Sequence, residues 1–392
     1  MKLFCLILTF ILMLFLSCKQ AYTPPAITSS VSFLVVEGVI NNSSDSTIIK
    51  LSHTVNISDS VSSLPVPHAT VAVQGDQNVT YPLPEIAQGK YVTTNLNLDN
   101  AHKYRLIITT AYNKQYYSDY VPVLNSPPLD SVYYTLSNNT ININTATHDA
   151  GNTVKFYRWD YKETWIIRSA YLSYYKSDGY NVYLRDFVND NIYQCWTSDT
   201  SSVVVLNTTA KLKQSLLTNN IIISFPQNSE KLGYSYSIIV NQYALSTEAY
   251  NFWTNLKKNT EKLGSIFDAQ PSQINGNIHC SSNPAEPVIG YISAGTVASK
   301  RIFINHEQLP LTATNFSTAN CELDSLWYSK PKTGERMVDE LIYYKKSNNG
   351  VIFIPITSFK TPNGIILGYM STTPFCADCT LRGTNRKPDF WK

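Results

Sequence analysis

Short β-prone runs separated by turn residues fill the chain from Phe33 to Val121, and they constrain its fold more than any other feature. In one run Tyr104, Leu106 and Ile108 fall on the same face, which is the period of two expected of a strand that covers a core. The pattern predicts a β-sandwich of about seven strands over residues 31–124. The candidate strands are Ser32 to Ile40, Thr47 to Ser52, Ala69 to Gln74, Val79 to Leu83, Lys90 to Thr94, Lys103 to Thr110 and Gln115 to Val121.

Tyr104 begins a late strand of this sandwich, and two roles are open for it. Its hydroxyl group can return to the upstream backbone as a tyrosine corner, a feature of some sandwich folds. It can equally be an ordinary core tyrosine that contributes its ring to the packing.

A second, larger β-rich domain is predicted over residues 129–392, because Pro127 and Pro128 interrupt the strand rhythm after residue 124. Its candidate strands are Ser131 to Leu136, Thr140 to Thr145, Val154 to Tyr161, Val203 to Leu206, Asn220 to Phe225, Gly233 to Tyr243, Pro287 to Ala294, Lys300 to Asn305, Val351 to Pro355 and Gly364 to Met370.

One helix interrupts these strands at about residues 247–263. Ser246 is placed as its N-cap, and Gly264 supplies a stop because glycine adopts positive φ without strain. The apolar stripe of the helix is expected to pack on the sheet rather than to bind a ligand. The stripe consists of Tyr250, Trp253, Leu256 and Leu263.

The first residues have the features of an export signal. Lys2 precedes an apolar run from Leu3 to Leu16, which is shorter than the roughly 20 residues that a transmembrane helix needs. Such a run is typical of a signal peptide, here residues 1–17. Ser17 before Cys18 resembles a bacterial lipobox, in which the cysteine becomes the N-terminus and carries acyl chains such as palmitate.

Lipidation of Cys18 would anchor the body to a membrane outside the cytoplasm without crossing it. Residues 18–30 then form an extended tether, because Pro24 and Pro25 exclude a helix. Ordinary cleaved secretion and an uncleaved anchor are the alternatives. No acidic cluster follows the cysteine, so the sequence leaves open whether the periplasmic or the surface face of the outer membrane carries the protein.

Cysteines of the predicted mature body are candidates for disulfides. They are Cys195, Cys280, Cys321, Cys376 and Cys379. In an oxidising compartment, one or two bridges are expected to join the C-terminal pair to earlier strands and to leave one thiol over. The Cys-x-x-Cys spacing is also that of half a zinc site, which Cys280 and Cys321 could complete, or of a thioredoxin-like redox pair.

The densest aromatic stretch runs from Tyr171 to Trp196 and is interleaved with Asp, Gly and Asn. Rings offer contact area at low entropic cost, so the stretch could be a binding loop. The alternative is a tyrosine-rich β meander whose rings pack in the sandwich. The candidate binding aromatics are Tyr174, Tyr175, Tyr180, Tyr183 and Trp196.

Composition and motifs narrow the classes of function. The formal net charge of +3, with charged residues at 15%, offers no concentrated basic face for nucleic acid. The six histidines are scattered, and the sequence contains no HExxH, GxSxG, GxxxxGK or GxGxxG motif. The sequence therefore predicts a non-catalytic protein with no cofactor and no metal, and no residue stands out as catalytic.

Several motifs carry a family resemblance. They are Leu34-Val35-Val36-Glu37-Gly38, Gly89-Lys90-Tyr91, Tyr104-Arg105-Leu106, Tyr157-Arg158-Trp159, Gly264-Ser265-Ile266-Phe267-Asp268, Gln270-Pro271, Gly276-Asn277-Ile278, Gly290-Tyr291, and the C-terminal Cys376-Ala377-Asp378-Cys379-Thr380-Leu381-Arg382-Gly383-Thr384 with Lys387-Pro388-Asp389-Phe390-Trp391. With these motifs the chain resembles the domain of unknown function 4249 (DUF4249) family of Bacteroidota outer-membrane lipoproteins.

The resemblance implies a lipoprotein often encoded near TonB-dependent receptors, and it implies no reaction and no site residues. It also implies a first domain similar to immunoglobulin-like or transthyretin-like modules. The C-terminal segment with its cysteines and aromatic residues is expected to be a clasp that closes the last strand rather than a ligand site.

The leading hypothesis is a membrane-anchored accessory or binding component of a TonB-dependent uptake system. A structural or adhesive cell-envelope protein is the second hypothesis. A hydrolase is the third, because many glycosidases show only two carboxylates that converge in space.

Overall fold

The computed structural model of the protein describes residues 32–55, 59–61, 63–178, 181–261, 276–310, 321–327 and 353–391. The chain is mainly β, with several sheets and one prominent helix, so the predicted fold class is confirmed. Across these ranges, no helix combines the length and the apolar composition that crossing a bilayer requires. The predicted signal peptide at 1–17, Cys18 and the tether at 18–30 lie outside the described residues.

The described strands are β1 (Leu34–Asn41), β2 (Thr47–His53), β3 (Leu64–Pro65), β4 (Thr70–Gly75), β5 (Thr80–Leu83), β6 (Glu85–Ala87), β7 (Lys90–Thr93), β8 (Lys103–Thr109), β9 (Gln115–Ser118), β10 (Val121–Leu124), β11 (Leu129–Ser137), β12 (Thr140–Asp149), β13 (Phe156–Arg168), β14 (Tyr175–Ser177), β15 (Val182–Leu184), β16 (Gln194–Thr200), β17 (Val205–Thr208), β18 (Ser215–Pro226), β19 (Ser235–Leu245), β20 (Ile278–Cys280), β21 (Val288–Ile289), β22 (Ala294–Gly295), β23 (Val297–Asn305), β24 (Asp324–Trp327), β25 (Ile354–Lys360) and β26 (Ile366–Thr372). The described helices are α1 (Thr247–Glu261), α2 (Pro374–Ala377) and the 3₁₀ turns Glu230–Leu232, His306–Gln308 and Cys379–Leu381.

Two packed sheets form the first sandwich. One contains β1, β2, β3, β6, β7 and β21, and the other contains β4, β5, β8, β9, β10 and β20. The short β22 connects them because it pairs in parallel with both β1 and β10. Leu34, Ile49 and Val73 are buried in one cluster with Leu106 and Ile108. The alternation predicted for β8 therefore does place one face on the core.

Residues 276–295 belong to this first sandwich although they follow the helix in the sequence. β20 pairs with β9, and β21 pairs with β1. The backbones approach closely, since a Cβ atom at Gly290 would lie 2.2 Å from the carbonyl oxygen of Val36, and Gly290 has a φ of +142°. The predicted domain boundary after residue 124 therefore does not hold for the folded sandwich. The sandwich also contains β20, β21 and β22, which come from the 129–392 region.

The run from Gln115 to Val121, predicted as one strand, is two strands in the structure. β9 ends at Ser118, whose hydroxyl oxygen accepts the backbone N–H of Leu106 at 2.9 Å. The next amide, that of Asp119, donates to the carbonyl of Asn277 at 2.8 Å. At Leu106 a side-chain oxygen therefore takes the place of a backbone acceptor. The hydrogen-bond ladder along β8 is interrupted there, between its pairing with β9 and its pairing with β10.

Tyr104 is a tyrosine corner in the structure. The backbone N–H of Asp99 donates to the Tyr104 hydroxyl oxygen at 2.9 Å, and the hydroxyl donates to the Asp99 carbonyl at 3.3 Å. The ring is buried, and burial raises the pKa of the hydroxyl above its ordinary value. The structure therefore shows the tyrosine-corner role for Tyr104 rather than that of an ordinary core tyrosine.

We expect Tyr104→Phe to lower the free energy of unfolding by about 1–2 kcal/mol, because the Asp99 amide loses its acceptor. Urea unfolding followed by circular dichroism measures this change. Tyr112→Phe is the matched control, since Tyr112 is 95% exposed and should leave the stability unchanged. Equal stabilities of the two variants would show that the corner hydrogen bonds contribute nothing.

The second sandwich packs the three-stranded sheet β11-β12-β18 against β16-β13-β19-β23, with β17 also paired to β13. Its core is built from large aromatic side chains, with Tyr157, Trp159 and Tyr236 almost completely buried. The indole N–H of Trp159 donates to the side-chain oxygen of Gln242 at 3.0 Å, so this buried donor is satisfied.

Helix α1 packs on β13, β17 and β19 and begins as predicted. The backbone N–H of Ala249 donates to the Ser246 hydroxyl oxygen at 3.2 Å, which confirms the N-cap. The buried positions are Ala249 and Phe252, so the contact face is shifted by about one residue from the predicted stripe. Tyr250, Trp253 and Leu256 are half-buried, whereas Leu263 and Gly264 lie outside the described residues.

A third, smaller sheet has the order β24-β26-β25. The hairpin β14-β15 lies beside β25, where Tyr175 and Val182 pack against Leu326 and Tyr369. This sheet and the segment from Pro374 to Trp391 hold the aromatic stretch that the sequence analysis singled out.

Candidate binding surface

The structure divides the predicted binding aromatics into exposed and packed residues. Tyr174 and Tyr183 are 48% and 47% exposed. Tyr175 is half-buried, its ring centroid 4.9 Å from that of Tyr369 and its hydroxyl 3.0 Å from that of Ser358. Tyr180 lies outside the described residues. Some rings of the stretch are thus exposed and others are packed as in the predicted meander, and the binding-loop role stays a prediction.

Trp196 does not belong to a binding surface, and the prediction is corrected for this residue. It lies on β16 opposite Ile166 and is buried. Its ring contacts that of Trp391 edge-on, with centroids 6.4 Å apart, and Trp391 also packs against Phe303 at 5.4 Å. The C-terminal segment covers this face of the second sandwich, so the tryptophan is part of a core formed by distant residues.

Several apolar residues of the hairpin and its following turn are exposed, and we call them together the hairpin patch, with Tyr183 and Leu184 on opposite faces of β15. Its residues are Tyr174, Tyr183, Leu184, Phe187 and Val188. Phe187 contacts Tyr174 edge-on at a centroid distance of 5.7 Å. Leu184, at the end of β15, and Phe187 and Val188, in the turn that follows, were not among the predicted candidates, because no local sequence pattern indicates their exposure.

Arg185 holds the hairpin patch in place from beneath. Its guanidinium donates to the Tyr175 carbonyl at 2.8 Å, the Asp190 carbonyl at 3.3 Å and the Ser173 hydroxyl oxygen at 3.3 Å. Its backbone N–H donates to the Tyr174 carbonyl at 2.9 Å. Burial lowers the pKa of the Arg185 guanidinium from its ordinary value. Because that ordinary value is very high, the group stays charged. One half-buried cation therefore ties both strands and the turn together.

Two disulfides attach the C-terminal segment to the rest of the fold. Cys195 is bonded to Cys379 and Cys321 to Cys376, with Cα separations of 5.7 and 5.6 Å. The expectation of disulfides from the C-terminal pair to earlier strands is confirmed, and Cys280 is the buried free thiol. The zinc and redox alternatives required the two C-terminal cysteines to act together, whereas each is bonded to a different distant cysteine.

A buried carboxylate that the sequence analysis missed lies in the second sandwich. The Glu163 side chain is 1% exposed and accepts hydrogen bonds from Lys231 at 2.6 Å and from the Tyr236 hydroxyl at 2.5 Å. Burial, with the charge of Glu163 second, raises the pKa of Tyr236 well above its ordinary value, so the hydroxyl stays a donor. The carboxylate faces the core with both oxygens paired, which is the arrangement of a structural ion pair.

A shallow depression lies where helix α1 meets the first sandwich. The Arg158 guanidinium lies between the rings of Tyr243 and Trp253, at 4.2 and 4.5 Å from their centroids, and 3.5 Å from Asp160. The empty volume is about 320 Å³ including the solvent at its mouth. Arg158 already contacts Tyr243, Trp253 and Asp160 within the protein. The depression is therefore a gap between helix α1 and the neighbouring strands. Among the described residues no three His, Cys, Asp or Glu side chains are placed to hold a metal ion.

The fold, the disulfides and the hairpin patch define a class: a disulfide-stabilised, mainly β protein with an exposed aromatic surface. The chain belongs to the family described as Domain of unknown function (DUF4249), whose family model matches residues 20–301. The match ends before the C-terminal cysteine motif, so that motif lies outside the matched region. No curated protein matches the chain.

Proposed function

We propose that this protein is a membrane-anchored, non-catalytic lipoprotein of a Bacteroidota outer membrane and an accessory or binding component of a TonB-dependent uptake system. The observation that carries the proposal is the hairpin patch, in which apolar side chains are exposed to solvent and yet fixed in position. An exposed apolar group of this kind is typical of a surface that contacts another protein.

The predicted lipobox and the disulfides support the compartment. Acyl chains on Cys18 would keep the body within reach of integral membrane proteins. Disulfides persist in oxidising compartments, and two of them stabilise the region that carries the patch. The family, which has no established reaction, adds no catalytic residue to the site.

The patch suits a protein partner because it exposes aromatic rings. Aromatic side chains bury large areas and are important to the binding energy of protein interfaces, where tyrosine is enriched among the residues that contribute most. The partly buried hydrogen bonds of Arg185 limit the loss of entropy on binding, because they already order the hairpin. A receptor barrel beside the lipid anchor is the partner that we propose.

Co-purification tests this proposal. The tagged full chain, extracted in detergent from the outer membrane of its own bacterium, should recover a TonB-dependent receptor. The double variant Tyr174→Ala with Phe187→Ala should recover at least about tenfold less receptor, because two exposed aromatic contacts are lost without disturbing the core.

Tyr112→Ala is the control, since it removes a tyrosine that is more exposed than Tyr174 but lies in the turn between β8 and β9. It should recover as much receptor as the unchanged protein. Repeated recovery of the protein alone would contradict the accessory role and would favour the structural or adhesive hypothesis.

A further inference from the structure

The outer face of the first sandwich carries an organised group of polar and aromatic side chains. On neighbouring strands Gln74 lies opposite Arg105, and Tyr117 lies opposite His279. Residues that alternate with them along the strands point into the core, so these four point outward. Tyr120, between β9 and β10, completes the group, which we call the sheet platform.

Arg105 is held rigidly at the centre of the sheet platform. Its Nε and Nη2 atoms donate to the side-chain oxygen of Gln74 at 2.9 and 2.7 Å. Its guanidinium lies 4.7 Å from the ring centroid of Tyr120 and 5.5 Å from that of Tyr117. The Tyr120 hydroxyl donates to the same Gln74 oxygen at 3.3 Å. The planar group is thus oriented before any ligand arrives.

The hydrogen-bond partner of Arg105 within the sheet platform is uncharged. Gln74 is a neutral acceptor, and across the described part of the chain no carboxylate forms an ion pair with this guanidinium. Two of its five N–H donors are used, which leaves three for a ligand. A guanidinium edge matches the two oxygens of a carboxylate, so the missing partner is an anion of that shape.

The surroundings of the guanidinium favour a sugar ring as the bearer of that carboxylate. Tyr117 is 36% exposed, so its ring can pack against the C–H face of a pyranose by dispersion. Ile107, directly opposite Tyr117 on β8, adds apolar surface beside the ring. His279 and Asp119, 3.1 Å apart, supply donors and acceptors for sugar hydroxyl groups at the edge.

We propose that the sheet platform binds an acidic saccharide, with a uronate carboxylate on the free edge of Arg105 and a sugar ring on Tyr117. The proposal goes beyond the accessory role proposed above and uses a different surface, so the two can fail separately.

Titration of the purified full chain in detergent with oligomers of galacturonate, glucuronate and mannuronate tests the proposal. Saturable binding to at least one of them is expected, and its methyl ester, which lacks the charge, should bind at least about tenfold more weakly. Gln74→Glu places a carboxylate beside Arg105 and should weaken uronate binding at least about tenfold, with little effect on the ester.

Tyr117→Ala should also weaken binding about tenfold or more, and its melting temperature reports whether it folds. Tyr112→Ala, and Tyr174→Ala with Phe187→Ala, should bind uronates like the unchanged protein. Absence of binding to all three oligomers would overturn the proposal, as would equal affinity for the methyl ester or undiminished binding by folded Tyr117→Ala.

Discussion

Lys231→Met is expected to lower the free energy of unfolding by about 3–5 kcal/mol, one of the two largest effects predicted for this protein. The substitution removes the cation 2.6 Å from Glu163 and leaves a carboxylate that is 1% exposed without its counter-charge. The remaining donor, the Tyr236 hydroxyl, cannot compensate for the lost charge. Urea unfolding of the variant and the unchanged protein at one pH measures the difference.

A double-mutant cycle separates the ion pair from the packing of the lysine stem. Glu163→Gln in the Lys231→Met background should restore much of the stability, because the buried negative charge is then absent. Lys162→Met is the matched control, since Lys162 is exposed on β13, next to Glu163, and should change the stability by less than about 0.5 kcal/mol. A loss for Lys231→Met no larger than that of the control would show that the pair is not buried as described.

Removing the disulfide between Cys195 and Cys379 is expected to lower the free energy of unfolding by about 2–5 kcal/mol. These cysteines are 184 residues apart, so the bond constrains a long loop of the unfolded chain. The double variant Cys195→Ser with Cys379→Ser should also loosen the packing of Trp391 on Trp196. Urea unfolding gives the energy, and tryptophan fluorescence follows the loosened packing.

The second disulfide provides an internal comparison. Cys321 and Cys376 are 55 residues apart, so their removal should cost about 1 kcal/mol less by loop entropy. Cys280→Ala is the control, because this thiol is free and its removal leaves both bridges intact. If the long-range double variant were as stable as this control, the bridge would not hold the C-terminal segment.

The aromatic stretch shows how far the site could be predicted. Its density of rings singled out a segment that forms a hairpin and a turn in the structure. It could not separate Tyr174 from Trp196, since the burial of Trp196 depends on Trp391, almost 200 residues later in the chain. The prediction therefore named both, and only Tyr174 belongs to the hairpin patch.

The segment at 276–295 shows the same limit for domain organisation. Its short strands pair with β1, β9 and β10, which precede it by more than 150 residues. Runs of two or three residues are too short for a pattern to indicate a partner. The sheet platform depends on the pairing of this segment with the first sandwich, because β20 places His279 opposite Tyr117.

By itself the sequence determined the mainly β class, the alternation along β8 and the N-cap of helix α1, because each depends on residues within a few positions of one another. Only the tertiary structure decided which cysteines pair, which rings are exposed, and that Glu163 meets Lys231 in the core. Those outcomes depend on contacts between residues far apart in the chain, and such contacts leave no periodic pattern in the local sequence.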